Sequence, residues 1–149
     1  MARKIVVEVI ALSFVILFLY TGISKLMEYS VFREQIAGSP ILAPIAWWIA
    51  WLLPLSEFVA ALLLFFPRTR LKGLYGGLVL MILFTGYIVG ILNFSKHLPC
   101  SCGGILELLS WKAHLLFNSA LILLAWIGIW LEAQSRKLVR TSSSSLIYN

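Results

Sequence analysis

The sequence predicts an all-α, four-transmembrane-helix bundle, on the strength of its composition and the spacing of its apolar runs. Hydrophobic residues make up 61% of the 149 positions and charged residues only 12%. The mean hydropathy of +0.97 is a balance that no ordinary water-soluble domain of this size holds. The apolar residues gather into four long runs, Ile5 to Met27, Ile41 to Phe66, Leu71 to Phe94 and Ala113 to Leu131. Each is near or above the roughly 20 residues that cross a hydrocarbon core as a helix. The lipid bilayer is therefore the first expected partner.

The first run starts on Arg3 and Lys4, is longer than a signal-peptide core and shows no small-residue cleavage site, so it is expected to remain attached. The link from Glu28 to Pro40 mixes Arg33, Glu34, Gln35 and Gly38 and is expected to form an interfacial turn or short helix. In the second run, Trp47, Trp48 and Trp51 have the character of an aromatic belt at a membrane boundary. Pro54 lacks a backbone N–H, which frees a carbonyl one turn earlier. The third run carries Gly73, Gly76, Gly77, Gly86 and Gly90. Gly86 and Gly90 make a G-x-x-x-G face, expected to pack inside the bundle, with an oligomer interface as the alternative. Residues 1–134 form one membrane domain without internal repeats. Residues 135–149 are basic and then serine-rich, and the stretch Thr141 to Ser145 is expected to be disordered.

Orientation follows from the basic residues. With four spans, Arg3, Lys4, Arg68, Arg70, Lys72, Arg136, Lys137 and Arg140 share one side, and Lys25, Arg33, Lys96 and Lys112 the other. The richer side is expected to be cytoplasmic, which puts both termini inside a bacterial inner membrane. The net charge of +6 then reflects topology. No basic run with interleaved aromatics occurs, and nucleic acid is not an expected partner.

The chain's only two cysteines stand one residue apart in Pro99-Cys100-Ser101-Cys102-Gly103-Gly104, between the third and fourth runs. By the charge rule this loop faces a periplasm-like space, where disulfides persist. The pair reads as a redox couple that exchanges by thiolate attack. A disulfide across one intervening residue closes a small ring, and departure from relaxed geometry makes such a bond easier to reduce. Free cysteines are also common as small buried hydrophobes. A zinc site is a further alternative, because His97, Cys100, Cys102 and His114 supply two nitrogens and two sulfurs, although one residue between thiolates is tighter than the usual spacing. Bis-histidine haem is the weakest of these readings. His114, near the start of the fourth run with Asn118 one turn on, could lower a thiol's pKa or carry its proton, or could simply be an interfacial polar residue.

Glu57 sits about nine residues beyond Trp48, or ~13 Å at 1.5 Å per residue, close to mid-membrane. A carboxyl at that depth faces the bundle interior and marks a functional or paired site. Tyr87, Asn93 and Asn118 are the expected partners, and Lys25, near the end of its span, is expected to lie too shallow. Glu8 is expected to snorkel to the interface.

Thr21-Gly22-Ile23-Ser24-Lys25-Leu26, Pro54-x-x-Glu57 and Cys100-Ser101-Cys102-Gly103-Gly104 together resemble the DoxX-like membrane proteins, and particularly their MauE branch. The resemblance runs from about Ile5 to Leu131. It implies a role in maturing disulfide-rich or redox proteins beside a thioredoxin-like partner. DoxX relatives include a subunit of a thiosulfate oxidoreductase that passes electrons to quinone. By this similarity Cys100 and Cys102 are redox residues and Glu57 is the family's intramembrane carboxylate. Ser101 and Gly103 stand where glycine and an aromatic are common in that branch.

The expected function is thiol-disulfide exchange with a thioredoxin-like or maturing exported protein, with Cys100, Cys102, His114 and Glu57 as the catalytic set and no resident metal. With only two cysteines there is no internal relay, so electrons leave through a partner or a small acceptor such as quinone. The alternative is a non-catalytic subunit of a larger membrane complex, its cysteines structural or metal-bound.

Overall fold

The computed structural model describes residues 2–39, 42–94 and 111–145. Five α-helices make up the fold: α1 (Ala2–Met27), α2 (Tyr29–Ala37), α3 (Ala46–Phe65), α4 (Arg70–Phe94) and α5 (Trp111–Ser145), with a 3₁₀ turn at Ala43–Ile45 leading into α3. No strand occurs among the described residues. Four segments are long and apolar enough to cross a membrane: Arg3–Met27, Ala43–Phe65, Arg70–Gly90 and Lys112–Leu138. This is the predicted all-α four-helix architecture. The short helix expected in the link after the first span is α2.

The spanning helices stand in a ring, with α1 between α3 and α5, and α4 between the same two. Helices α1 and α4 face each other across the diagonal with little contact. An even number of spans returns the chain to the end where it began. Arg3 Nη1 accordingly donates to Gln134 Oε1 at 3.3 Å. We call this the tail end. The opposite end carries α2 and the termini of α4 and α5 that the 95–110 segment joins, and is called the loop end.

The two ends are packed differently. Toward the tail end, Phe14 and Phe18 of α1, Ala60 and Leu64 of α3, Leu74 and Leu78 of α4 and Ala125 of α5 form one closed core. A separate small cluster seats Phe32 and Ile36 of α2 against Ala46 and Ala50 of α3. The outward surface is apolar, with Leu19, Leu62, Val79 and Leu123 exposed, as expected for side chains facing lipid tails. Trp47, Trp48 and Trp51 are exposed near the loop end and Trp126 and Trp130 toward the tail end, one aromatic girdle at each boundary.

Lipid tails are as apolar as leucine, so close packing rather than water exclusion holds such helices together. Gly73 and Gly77 of α4 supply that approach. A Cβ at Gly73 would stand 2.7 Å from the Leu64 backbone nitrogen, and one at Gly77 would stand 3.1 Å from the Phe18 ring. Gly86 differs from the expectation that it packs inside the bundle: it is exposed, and a Cβ there meets nothing within 4 Å. The helical phase that turns Gly73 and Gly77 inward turns Gly86 outward.

The tail end is also tied by polar contacts. Arg136 Nη2 donates to the carbonyls of Pro67 at 3.0 Å and Arg68 at 3.2 Å, while its Nε pairs with Glu132 at 2.9 Å. Thr69 Oγ1 donates to the Leu63 carbonyl at 2.8 Å near the end of α3. Glu8 is exposed and reaches Arg70 at 3.8 Å. Where composition predicts a disordered tail, α5 continues as helix through Ser145. No glycine or proline interrupts residues 132–145, and the Glu132–Arg136 pair and the Arg136 contacts to the α3–α4 turn hold the helix as it leaves the span.

Gly73→Ala should destabilise the fold by about 1–3 kcal/mol, since the obstructing atom is backbone and cannot move aside. Gly86→Ala should be neutral or slightly stabilising. Thermal unfolding of the two variants in the same detergent checks the contrast, and equal midpoints would refute the packing assigned to α4.

Candidate functional site

The polar residues of the span interiors converge at the loop end. Glu57, the twelfth residue of α3, is 1% exposed, and its Oε1 lies 2.8 Å from Nζ of Lys25, itself 4% exposed. Thr21, one turn before Lys25 on the same face of α1, brings its Oγ1 within 3.1 Å of the same carboxylate oxygen. That hydroxyl also lies 3.0 Å from the Leu17 carbonyl, and its single proton serves one acceptor at a time. Lys25 Nζ further donates to the Thr21 carbonyl at 3.4 Å. The Phe84 and Phe32 rings flank the ammonium at 5.3 and 5.9 Å from their centroids, a distance at which ring faces attract a cation.

The expectation that Lys25 lies too shallow to meet Glu57 is therefore corrected. Side chains lean toward the N-terminus of their own helix. Helix α1 runs toward the loop end and α3 away from it, so Lys25 leans down into the bundle while Glu57 leans up to meet it. Counting residues along the spans compares backbone heights and misses these opposed leans. Gly22 completes the contact: a Cβ there would meet the Phe58 ring at 3.1 Å and Glu57 Oε2 at 3.4 Å. Thr21, Gly22 and Lys25 thus meet α3 as hydroxyl, clearance and cation. Asn93, one of the expected partners, is exposed and bonds its own helix at the Val89 carbonyl, 2.8 Å away.

Above the closed core the helices diverge around a cavity of about 590 Å³. Lys25, Glu57 and Thr21 line it, together with Ser56, Gln35 and Tyr87. His114 and Asn118, one turn apart on α5 and both buried, belong to the same wall. The remaining lining is apolar, with Phe84, Met81, Leu53 and Ile88 among it. Leu52 of α3 and Leu83 of α4 line the cavity and are also 62% and 64% exposed. A mouth therefore lies on the flank between α3 and α4, where lipid would be.

Of the four residues singled out by sequence, Glu57 and His114 come together in this one cavity. Cys100 and Cys102 lie outside the described residues, as does His97 of the alternative zinc set. Lys25, Gln35 and Ser56 are additions that the structure makes. The signal for Lys25 was present as Thr21 and Lys25 at i and i+4 with a glycine between them.

A buried ion pair in a low-dielectric interior is a strong constraint. A lone acid or base at the centre of a span costs about 2.5–3.5 kcal/mol by insertion scales. Together the two charges cancel and satisfy each other's hydrogen bonds.

Compared with known families, residues 3–131 match the family described as methylamine utilisation protein MauE. No curated protein and no solved structure matches the chain.

Removing either charge alone should be severe. Lys25→Met and Glu57→Leu should each destabilise by about 3–5 kcal/mol, and the double variant should recover more than half of the loss. Equilibrium unfolding in mixed micelles measures all three. Additive losses in the double variant would mean that the two side chains do not act as a pair.

Proposed function

The chain belongs to the MauE family, and from that premise we propose that it is a thiol-disulfide redox protein of the bacterial inner membrane. In this reading Cys100 and Cys102 exchange electrons on the periplasmic side with a thioredoxin-like or maturing exported protein. The supporting observation is the placement of the cavity and its few polar residues. The segment 95–110, which contains both cysteines, joins the ends of α4 and α5, and those same ends contribute Tyr87, His114 and Asn118 to the cavity wall. Ionisable groups buried at membrane depth mark functional or paired sites, and here the ion pair and a histidine lie at the end of the bundle to which the cysteine segment connects.

The exchange balances within the two proteins. The thiolate of one cysteine attacks a partner disulfide and forms a mixed disulfide, releasing one partner thiolate. The second cysteine attacks that bond, closing Cys100–Cys102 and leaving the partner as a dithiol. The partner gains two electrons and this chain loses them; the reverse direction uses the same steps. His114 accepts the proton of the attacking thiol, and the Lys25–Glu57 pair holds α1 and α3 in register beneath it.

A second reading has its own support. The exposed Gly86 leaves a shallow notch on the lipid-facing side of α4, the kind of surface on which another membrane helix packs closely. The chain would then be an accessory subunit of a larger membrane assembly serving methylamine utilisation, the process in its family's description.

Replacing the resolving thiol separates the two. One of Cys100→Ser and Cys102→Ser should accumulate a reducible mixed disulfide, visible as a mass shift on non-reducing gels. Normal function in both variants, with the protein in a stoichiometric complex, would favour the subunit. Orientation is tested independently: after mild reduction, a membrane-impermeant maleimide should label the cysteines in cells with an intact inner membrane. Labelling only after that membrane is opened would reverse the topology.

A further inference from the structure

We propose that the loop-end cavity binds a lipid-soluble quinone, which serves as the acceptor for the electron pair handled at the cysteines. The acceptor role rests on the thiol-disulfide reading above, whereas the binding site itself does not. Four features of the cavity select this class of ligand.

Size comes first: about 590 Å³ lies within the range of sites that enclose a ring and the start of an attached chain. Access is the second. Because Leu52 and Leu83 form an exposed apolar rim between α3 and α4, a ligand enters from the hydrocarbon phase, which favours a molecule that resides there. The third is hydrogen-bonding chemistry at the buried wall. Lys25 carries three N–H donors, of which Glu57 and the Thr21 carbonyl take two, and the third is available to a ring carbonyl. Asn118 adds an amide from α5, the neighbour of α1. Gln35 lines the cavity with a buried side-chain oxygen that has no hydrogen-bond partner among the described residues, an acceptor for the hydroxyl of the reduced ring. Donors and an acceptor in one apolar chamber suit a molecule that alternates between carbonyl and hydroxyl forms.

The fourth feature is charge. Lys25 is neutralised by Glu57 at 2.8 Å, so the wall offers hydrogen bonds without a net charge. That suits a neutral ring better than the anionic head of a phospholipid or fatty acid.

Stoichiometry fits as well. The chain has only two cysteines and so no second dithiol to receive their electrons. Oxidation of the Cys100–Cys102 dithiol releases two electrons and two protons as the S–S bond forms. A quinone takes up two electrons and two protons to become the quinol, and no further co-reactant is needed.

The test uses the full-length protein in lipid nanodiscs with a decyl-substituted benzoquinone as the probe. Wild type should bind it saturably, and so should the Cys100→Ser/Cys102→Ser double variant, which separates this site from the thiol chemistry. Leu83→Trp, a change at the exposed rim that leaves the core untouched, and Asn118→Leu should each weaken binding at least about tenfold. The reduced wild type, but not the double cysteine variant, should convert the probe to its quinol, followed by ultraviolet absorbance. Circular dichroism melts establish that the variants remain folded.

Absence of saturable binding to wild type overturns the proposal, as does binding that neither rim nor wall variant alters. Stoichiometric recovery of a phospholipid or fatty acid that the probe cannot displace assigns the cavity to lipid and also overturns it. Binding without reduction by the dithiol protein overturns the acceptor role. Failure to trap any mixed disulfide while binding and quinol formation persist would instead refute the protein-partner exchange and leave this site standing.

Discussion

The bundle depends on one interaction, the ion pair between Lys25 and Glu57 at 2.8 Å. Either charge alone, buried in the bundle interior, opposes folding by an amount comparable to a large part of a domain's net stability. Their pairing removes the net charge and fixes the rotation of α1 against α3, since only one face of each helix carries the partner. Thr21 and Gly22 belong to the same constraint, the first by bonding the carboxylate and the second by clearing room for it. Once α1 and α3 are locked in this register, Phe14 and Phe18 turn toward the common core and α2 is held across the loop end over α3.

Closed packing and open cavity divide the bundle along its length, and the division can be traced to residue size. Toward the tail end, alanines and glycines at the helix contacts admit large side chains in between, and Phe18, Leu64 and Leu74 fill the space. Toward the loop end the inward positions are longer and polar, among them Lys25, Glu57 and His114. Such side chains need hydrogen-bonding room and cannot interdigitate as apolar ones do, so the helices separate around them. The site thus lies where polar side chains join the apolar ones at the interior positions.

Much of this was legible from the residues alone, because membrane insertion imposes few and strong rules. Four long apolar runs leave little choice of architecture, and an acid placed as Glu57 is must face inward. The short helix after the first span and the placing of His114 and Asn118 on one face of the fourth span follow from similar reasoning, whereas the burial of both is a finding of the structure. What escaped is instructive. The Lys25 partnership depends on the lean of side chains along antiparallel helices, a few ångströms that a count of residues does not contain. The outward orientation of Gly86 depends on the rotation of α4 about its own axis, which a helix with glycines on several faces does not advertise. The helical continuation of α5 past Glu132 rests on contacts from Arg136 to the α3–α4 turn, between residues 68 and 69 positions apart in sequence. Cys100 and Cys102 lie outside the described residues, so the role proposed for them rests on sequence and connectivity.

The clamp that Arg136 places on the turn between α3 and α4 has a mechanical meaning. With the phenylalanine-rich core directly above it, the tail end acts as a fulcrum, and the four helices extend from it like the arms of tongs. Helix α1 and helix α4 face across the diagonal with little direct contact, and in the upper part the Phe84 ring of α4 meets the Lys25 ammonium of α1. A small angular change at the fulcrum becomes a larger opening at the tips, in proportion to the lever arm. At 1.5 Å per residue, the stretch of α4 from Leu74 to Ile88 alone spans about 21 Å. A lever of this kind places any breathing of the helices at the end that carries the ion pair and His114, away from the Arg136 clamp.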